Sequence, residues 1–165
     1  MDTEGTLAPA TAAAARERYE ALGSTAQVVV KETAKAMEMN AEEYRDRVTS
    51  EVVETARDAL FASLLEVRVG SREAFDEWVA EHDDYEVREV GSENVDSVVW
   101  HAAPAADTVV AATFHEEREA AVGTLRRQAF GRIYRELVTD GDESADGAGE
   151  GPDEADGDAT ESDTE

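Results

Sequence analysis

Apolar residues recur at helical spacing through the first half of the chain and alternate through much of the second. The Ala-rich stretch from Pro9 to Leu22 reads as a helix, with Pro9 suited to a first helical turn and Gly23-Ser24 as its break. A second helix runs from Thr25 to Met37. Asn40 offers an N-cap with Glu43 three residues on, and a short helix follows to about Thr49. Ser50 is placed to cap the next one, from Glu51 to about Leu65. There Val53, Ala56, Leu60 and Leu64 repeat on one face, and Val52, Ala59, Phe61 and Leu65 widen the arc. So wide an apolar surface marks this helix as central.

The second half changes period. Glu66 to Val69 reads as a strand, ended by Gly70. Ser71 caps a helix with Phe75, Trp78 and Val79 on one face. Tyr85 to Val90, Val95 to Ala102 and Thr108 to Phe114 read as strands, separated by turns at Gly91–Asn94 and Pro104. A last helix spans about Glu116 to Leu137, with Val122, Leu125, Ala129, Ile133 and Leu137 inward. The expected fold is α+β: N-terminal helices, a small antiparallel sheet of three to four strands with helices on one face, a long C-terminal helix and a disordered acidic tail.

Charge changes the picture most. The chain has 40 Asp+Glu against 15 Lys+Arg, a net −25, and only Lys31 and Lys35 are lysines. Twelve of the acids fall in residues 139–165, which carry no Lys or Arg and no apolar residue larger than Ala. Such a segment cannot bury enough surface to offset its chain entropy, so it is expected to be disordered. Residues 1–138 form the expected single domain, with a net charge of about −13. This balance would repel itself in dilute buffer. It becomes tolerable in multimolar salt, where the Debye length is roughly 3 Å or less. The composition therefore suggests a salt-accumulating cytoplasm.

The absence of cysteine excludes disulfides, thiolate metal sites and cysteine nucleophiles. No segment approaches the ~20 apolar residues of a membrane span, and no signal-peptide pattern opens the chain, so a soluble cytoplasmic protein is expected. Nothing in the chain calls for a cofactor, no pair of acids stands out as general acid and base, and the enzyme signal is close to absent. Clustered Lys and Arg are scarce, which disfavours nucleic acid as a partner.

Three constellations carry the functional candidates. Trp100, His101 and Asp107 flank the Pro104 turn. A hairpin centred on Ala105 pairs positions summing to about 210, which puts Trp100 on a core face and His101 on the opposite, exposed one. His101 and His115 then lie too far apart along the sheet to share a metal ion. Residues 33–48 space Ala34, Met37, Met39, Tyr44 and Val48 like a helix-turn-helix. Arg45 and Arg47 would be its DNA contacts, but Glu38 occupies the turn position where Gly is usual, and the would-be recognition helix is net negative. Arg126, Arg127, Arg132 and Arg135 lie on the last helix, and at 100° per residue three of the four span one broad face. Of these, Arg127, Arg132 and Arg135 are candidate contacts for a phosphate or an acidic partner.

The stretches VVETARDALFASLLEVRVGSREAFDEW (Val52 to Trp78), GSENVDSVVWHAAPAADTVVAATF (Gly91 to Phe114) and LRRQAFGRIY (Leu125 to Tyr134) resemble a family of uncharacterised haloarchaeal proteins, a domain of unknown function. The resemblance covers most of residues 1–138 and implies a haloarchaeal cytoplasm; it brings no activity, cofactor or site residue. The leading expectation is a non-catalytic protein-interaction protein. A helix-turn-helix regulator and an enzyme or ligand binder at residues 100–107 are the alternatives. Periodicity does not fix the oligomeric state.

Overall fold

The computed structural model describes residues 1–139. The acidic tail inferred from composition falls outside the described residues, except for Thr139, which closes the last helix.

The N-terminal half forms β1 (Asp2–Glu4), then α1 (Ala12–Ala21), α2 (Gly23–Ala36), α3 (Ala41–Arg47) and α4 (Ser50–Leu64). Side-chain caps decide several boundaries. Thr11 Oγ1 accepts the Ala14 N–H at 3.1 Å, so α1 begins after Thr11 and not at Pro9. Asn40 Oδ1 accepts the Glu43 N–H at 2.8 Å, as its position before the Glu43 turn suggested. The residue before α4 is Thr49 and not Ser50; it is extended and makes no side-chain cap bond. Gly23-Ser24 is less a gap than a corner. Leu22 ends α1 and Gly23 starts α2 at once, with the Ala26 N–H donating to Leu22 O at 2.9 Å.

The second half forms β2 (Val67–Ser71), α5 (Arg72–Glu81), β3 (Glu86–Val90), β4 (Ser97–Ala103), β5 (Thr108–Phe114) and α6 (Arg118–Ala129). Beyond α6 the helix continues through a π turn, Phe130–Tyr134, to residue 139. Ser71 Oγ accepts the Ala74 N–H at 3.1 Å and caps α5. The strands form one five-stranded sheet in the order β1-β2-β4-β5-β3.

This sheet differs from the expected one in three ways. It has five strands, because β1 pairs antiparallel with β2 (Thr3 opposite Arg68). It is mixed, because β3 lies parallel to β5 at the edge (Val87 opposite Val109). It is also covered on both faces. Val67, Val69, Val99 and Val110 face Phe61 of α4 and Leu125 and Tyr134 of the C-terminal helix. On the other face, Val98, Trp100, Val109 and Ala111 pack against Phe75 and Trp78 of α5.

The hairpin register also moves by one residue. Trp100 lies opposite Ala111 and His101 opposite Val110. The loop is four residues long: a 3₁₀ turn at Pro104–Ala106 followed by Asp107 in the left-handed region (φ 46°). An even loop puts the centre between residues, so the pairs sum to 211. Val110 and Ala112 therefore sit on the face away from Trp100, where α6 covers them.

α2 ends in a Schellman motif: the Met39 N–H donates to Ala34 O (3.1 Å) and the Glu38 N–H to Lys35 O (2.9 Å). Glu38 is the left-handed residue (φ 59°), where glycine carries no Cβ penalty. Glu38→Gly is expected to stabilise the protein by ~1 kcal/mol, to be checked by urea unfolding; a loss of stability would mean that this motif does not hold the end of α2.

Candidate functional site

Of the residues flagged at the Pro104 turn, Trp100 is fully buried, as expected, against the Phe75 ring at 5.2 Å. His101 is not at the surface: only 1% of it is exposed. Its Nδ1–H donates to the Glu66 carbonyl at 2.6 Å, and its Nε2 accepts the Tyr134 hydroxyl at 2.6 Å. The face opposite Trp100 is as covered as the Trp100 face, so its histidine is buried too. Burial pushes the imidazole below its ordinary pKa and the Tyr134 hydroxyl above its own. A neutral imidazole with one donor and one acceptor suits these two partners. Asp107 is exposed, and its carbonyl accepts the Glu86 N–H at 2.8 Å. The turn thus uses His101 to join β4, β2 and the C-terminal helix, and Asp107 to start β3; it does not pair the two side chains. Among the described residues, no group of three or more His, Asp or Glu is placed to hold a metal ion.

The arginines of the last helix do not follow uniform spacing. The π turn inserts one residue into a helical turn and rotates the residues beyond it. Past this turn Val138 is buried and Leu137 only half-buried, whereas straight periodicity put Leu137 inward. Arg126, half-buried, donates from Nε to Leu65 O at 3.0 Å. Arg127 reaches Thr124 Oγ1 at 3.4 Å, Arg132 is exposed, and the Arg135 guanidinium lies 5.5 Å from the Phe130 ring centre.

Residues 33–48 fold as two helices, but α3 has seven residues and buries none of them. Arg45 and Arg47 are two apart and point in different directions around it. Arg45 donates to Ala41 O at 3.3 Å, whereas Arg47 lines an open groove between α2 and α4.

That groove is the most distinctive surface feature of the helical half. Its volume is about 340 Å³. The walls are Val29 and Thr33 from α2 with Met37 at its C-cap, and Val52, Thr55 and Ala59 from α4, and the floor includes Val30, Ala34 and Ala56. Among the described residues, Arg47 is its one charged lining residue. Val29 (41%), Met37 (64%) and Val52 (40%) are exposed along it. The cause is legible in α4. Its apolar arc is wider than the single helix covering its first half, and its fully buried residues, Phe61 and Ala62, come only in its second half. Both lysines of the chain, Lys31 and Lys35, stand on α2, but neither lines this groove. Residues 23–48 carry four cations and five acids, so this region is nearly neutral on a chain of net −25.

The fold and this surface define a small α+β protein with a two-sided sheet and a helix-walled apolar groove. No helix among the described residues is long and apolar enough to cross a membrane. The chain belongs to a family of unknown function (DUF5809), whose model matches residues 6–135. No curated protein and no solved structure matches the chain.

Proposed function

We propose that this protein is a non-catalytic interaction module that receives an amphipathic helix of a partner protein in the α2–α4 groove. One observation carries this reading: a row of exposed valines and a methionine lines a nearly uncharged groove on an otherwise strongly acidic chain. The size fits a helix. α2 has 14 residues and spans ~21 Å, matching three to four turns. A flat face of two such helices offers on the order of 400 Å², half of the ~800 Å² per partner of a standard interface, so an inserted helix suits it better than a second copy laid flat. The partner helix would present apolar anchors at i, i+3 or i+4 and i+7, with a carboxylate reaching Arg47. The acid-rich composition, with 13 arginines against two lysines, supports a setting in the salt-rich cytoplasm of a haloarchaeon.

The two lysines make the test direct, because an amine-reactive cross-linker reads α2 and the chain N-terminus only. The protein is used as bait in multimolar KCl, cross-linked, and compared with Val29→Asp and Met37→Asp. The expected result is a stoichiometric protein cross-linked through Lys31 or Lys35, whose retention falls roughly tenfold or more in either variant. Retention indifferent to both variants would remove the groove from the interaction. Nucleic acid retained through Arg45 and Arg47 would replace this reading with a DNA-binding one.

A further inference from the structure

We propose that two copies of this chain join along β3, antiparallel about a two-fold axis through Val87, to make one continuous ten-stranded sheet. β3 is an edge strand, and all five of its residues are exposed. Its backbone orientation follows from one bond: the Glu86 N–H donates to the O of Asp107, the residue before β5, at 2.8 Å. In a parallel pair successive residues turn their backbone groups to opposite sides. Glu86, Arg88 and Val90 therefore face β5, and Tyr85, Val87 and Glu89 offer their N–H and C=O groups outward.

Only registers that oppose outward residues can hydrogen-bond. For a symmetric pair built on Tyr85, Val87 and Glu89, the axis then passes through residue 85, 86, 87, 88 or 89. Four of these place like charges directly opposite: Asp84 on Glu86, Glu86 on Glu86, Arg88 on Arg88, or Glu89 on Glu89 of the second copy. Such pairs are destabilising. The axis at Val87 opposes Val87 to Val87 and sets Glu86 against Arg88 twice, once on each side. The sequence Glu-Val-Arg is thus self-complementary in one register. In the single chain, Arg88 Nε already lies 3.4 Å from Glu86 Oε1, so the carboxylate and the guanidinium stand side by side on one face of the strand. Val87, 40% exposed, points to the same face as Val109, and its counterpart would extend the small core under α5. Two bodies of about −13 each repel, so association should strengthen as KCl screens them, because backbone bonds and valine burial are not screened.

The test is sedimentation equilibrium of the full chain at 0.2 M and 2 M KCl. A dimer favoured by the higher salt is expected. Val87→Pro removes an outward N–H that has no partner among the described residues and should weaken the dimer by roughly tenfold or more, with the far-UV circular dichroism unchanged. Arg88→Glu and Glu86→Arg should each weaken it too, and the double reversal Glu86→Arg/Arg88→Glu should restore it, since the opposed pairs are again unlike. A monomer at all concentrations up to ~100 μM would overturn the proposal, as would a dimer indifferent to Val87→Pro or a double reversal that fails to rescue. The groove variants Val29→Asp and Met37→Asp should leave this equilibrium unchanged, which separates it from partner binding.

Discussion

Replacing Phe61 by Ala is expected to lower the unfolding free energy by about 3–5 kcal/mol, a large share of the ~5–15 kcal/mol that holds a domain together. Phe61 is fully buried where α4 meets α1 and the C-terminal helix. Its ring lies 6.0 Å from Tyr19, 5.7 Å from Phe130 and 5.2 Å from Tyr134, so truncation opens a void bordered by three other rings. Tyr19 belongs to α1 and the other two rings to the π turn of the C-terminal helix, so the three cannot all move inward together. Phe61→Leu keeps most of the volume and should cost about half as much or less. Urea unfolding at fixed KCl, followed by far-UV circular dichroism, checks both. A loss below ~1 kcal/mol for the alanine variant would mean that α4 is not packed as described.

His101→Ala should cost a comparable ~3–5 kcal/mol, for a different reason. It leaves the Glu66 carbonyl and the Tyr134 hydroxyl buried without each other or a third partner, and each such orphan costs about 1–3 kcal/mol besides the cavity. The same site predicts a pH dependence. Burial lowers the folded-state pKa of His101, so in acid the unfolded chain binds a proton that the folded one refuses. The stabilisation is complete above the ordinary histidine value of ~6.5 and is lost as pH falls below it towards the lowered value, by up to about 1.4 kcal/mol per pH unit. His101→Gln keeps a donor and an acceptor but does not titrate. The stability gap between wild type and this variant should therefore close between pH 7.5 and 5.5. A constant gap would show that His101 takes up its proton as readily in the folded chain as in the unfolded one, and so is solvated when folded.

Much of the helical half could be read from spacing and caps. Asn40 and Ser71 announce α3 and α5, and the Val-rich run at Thr108–Phe114 sets β5 with its observed ends. β1 could not be read that way, because Asp-Thr-Glu has no apolar residue; it pairs by backbone alone, held by Arg118 to Asp2 at 3.0 Å and Glu4 at 3.2 Å. The parallel pairing of β3 with β5 is a matter of topology, which periodicity along one strand does not encode. His101 reads as exposed in the sequence because its burial depends on Tyr134, 33 residues away and aimed by a π turn with no signal in the helical repeat. The groove is half-visible. The excess width of the apolar arc of α4 is plain in the sequence, but that its Val52, Thr55 and Ala59 edge is left open beside α2 among the described residues emerges only in three dimensions.

The two-sided sheet also governs what can be observed in solution. Both tryptophans of the chain, Trp78 and Trp100, belong to the small core under α5, and the Trp78 indole is stacked on the His82 ring at 4.0 Å. The larger core holds Tyr19, Tyr134, Phe61 and Phe130 but no indole. Intrinsic tryptophan emission from this protein is therefore a one-sided reporter. It follows the detachment of α5 and is nearly blind to loosening around Phe61. If an emission-detected transition and a backbone-detected one separate along a denaturant gradient, the two faces of the sheet are letting go at different times.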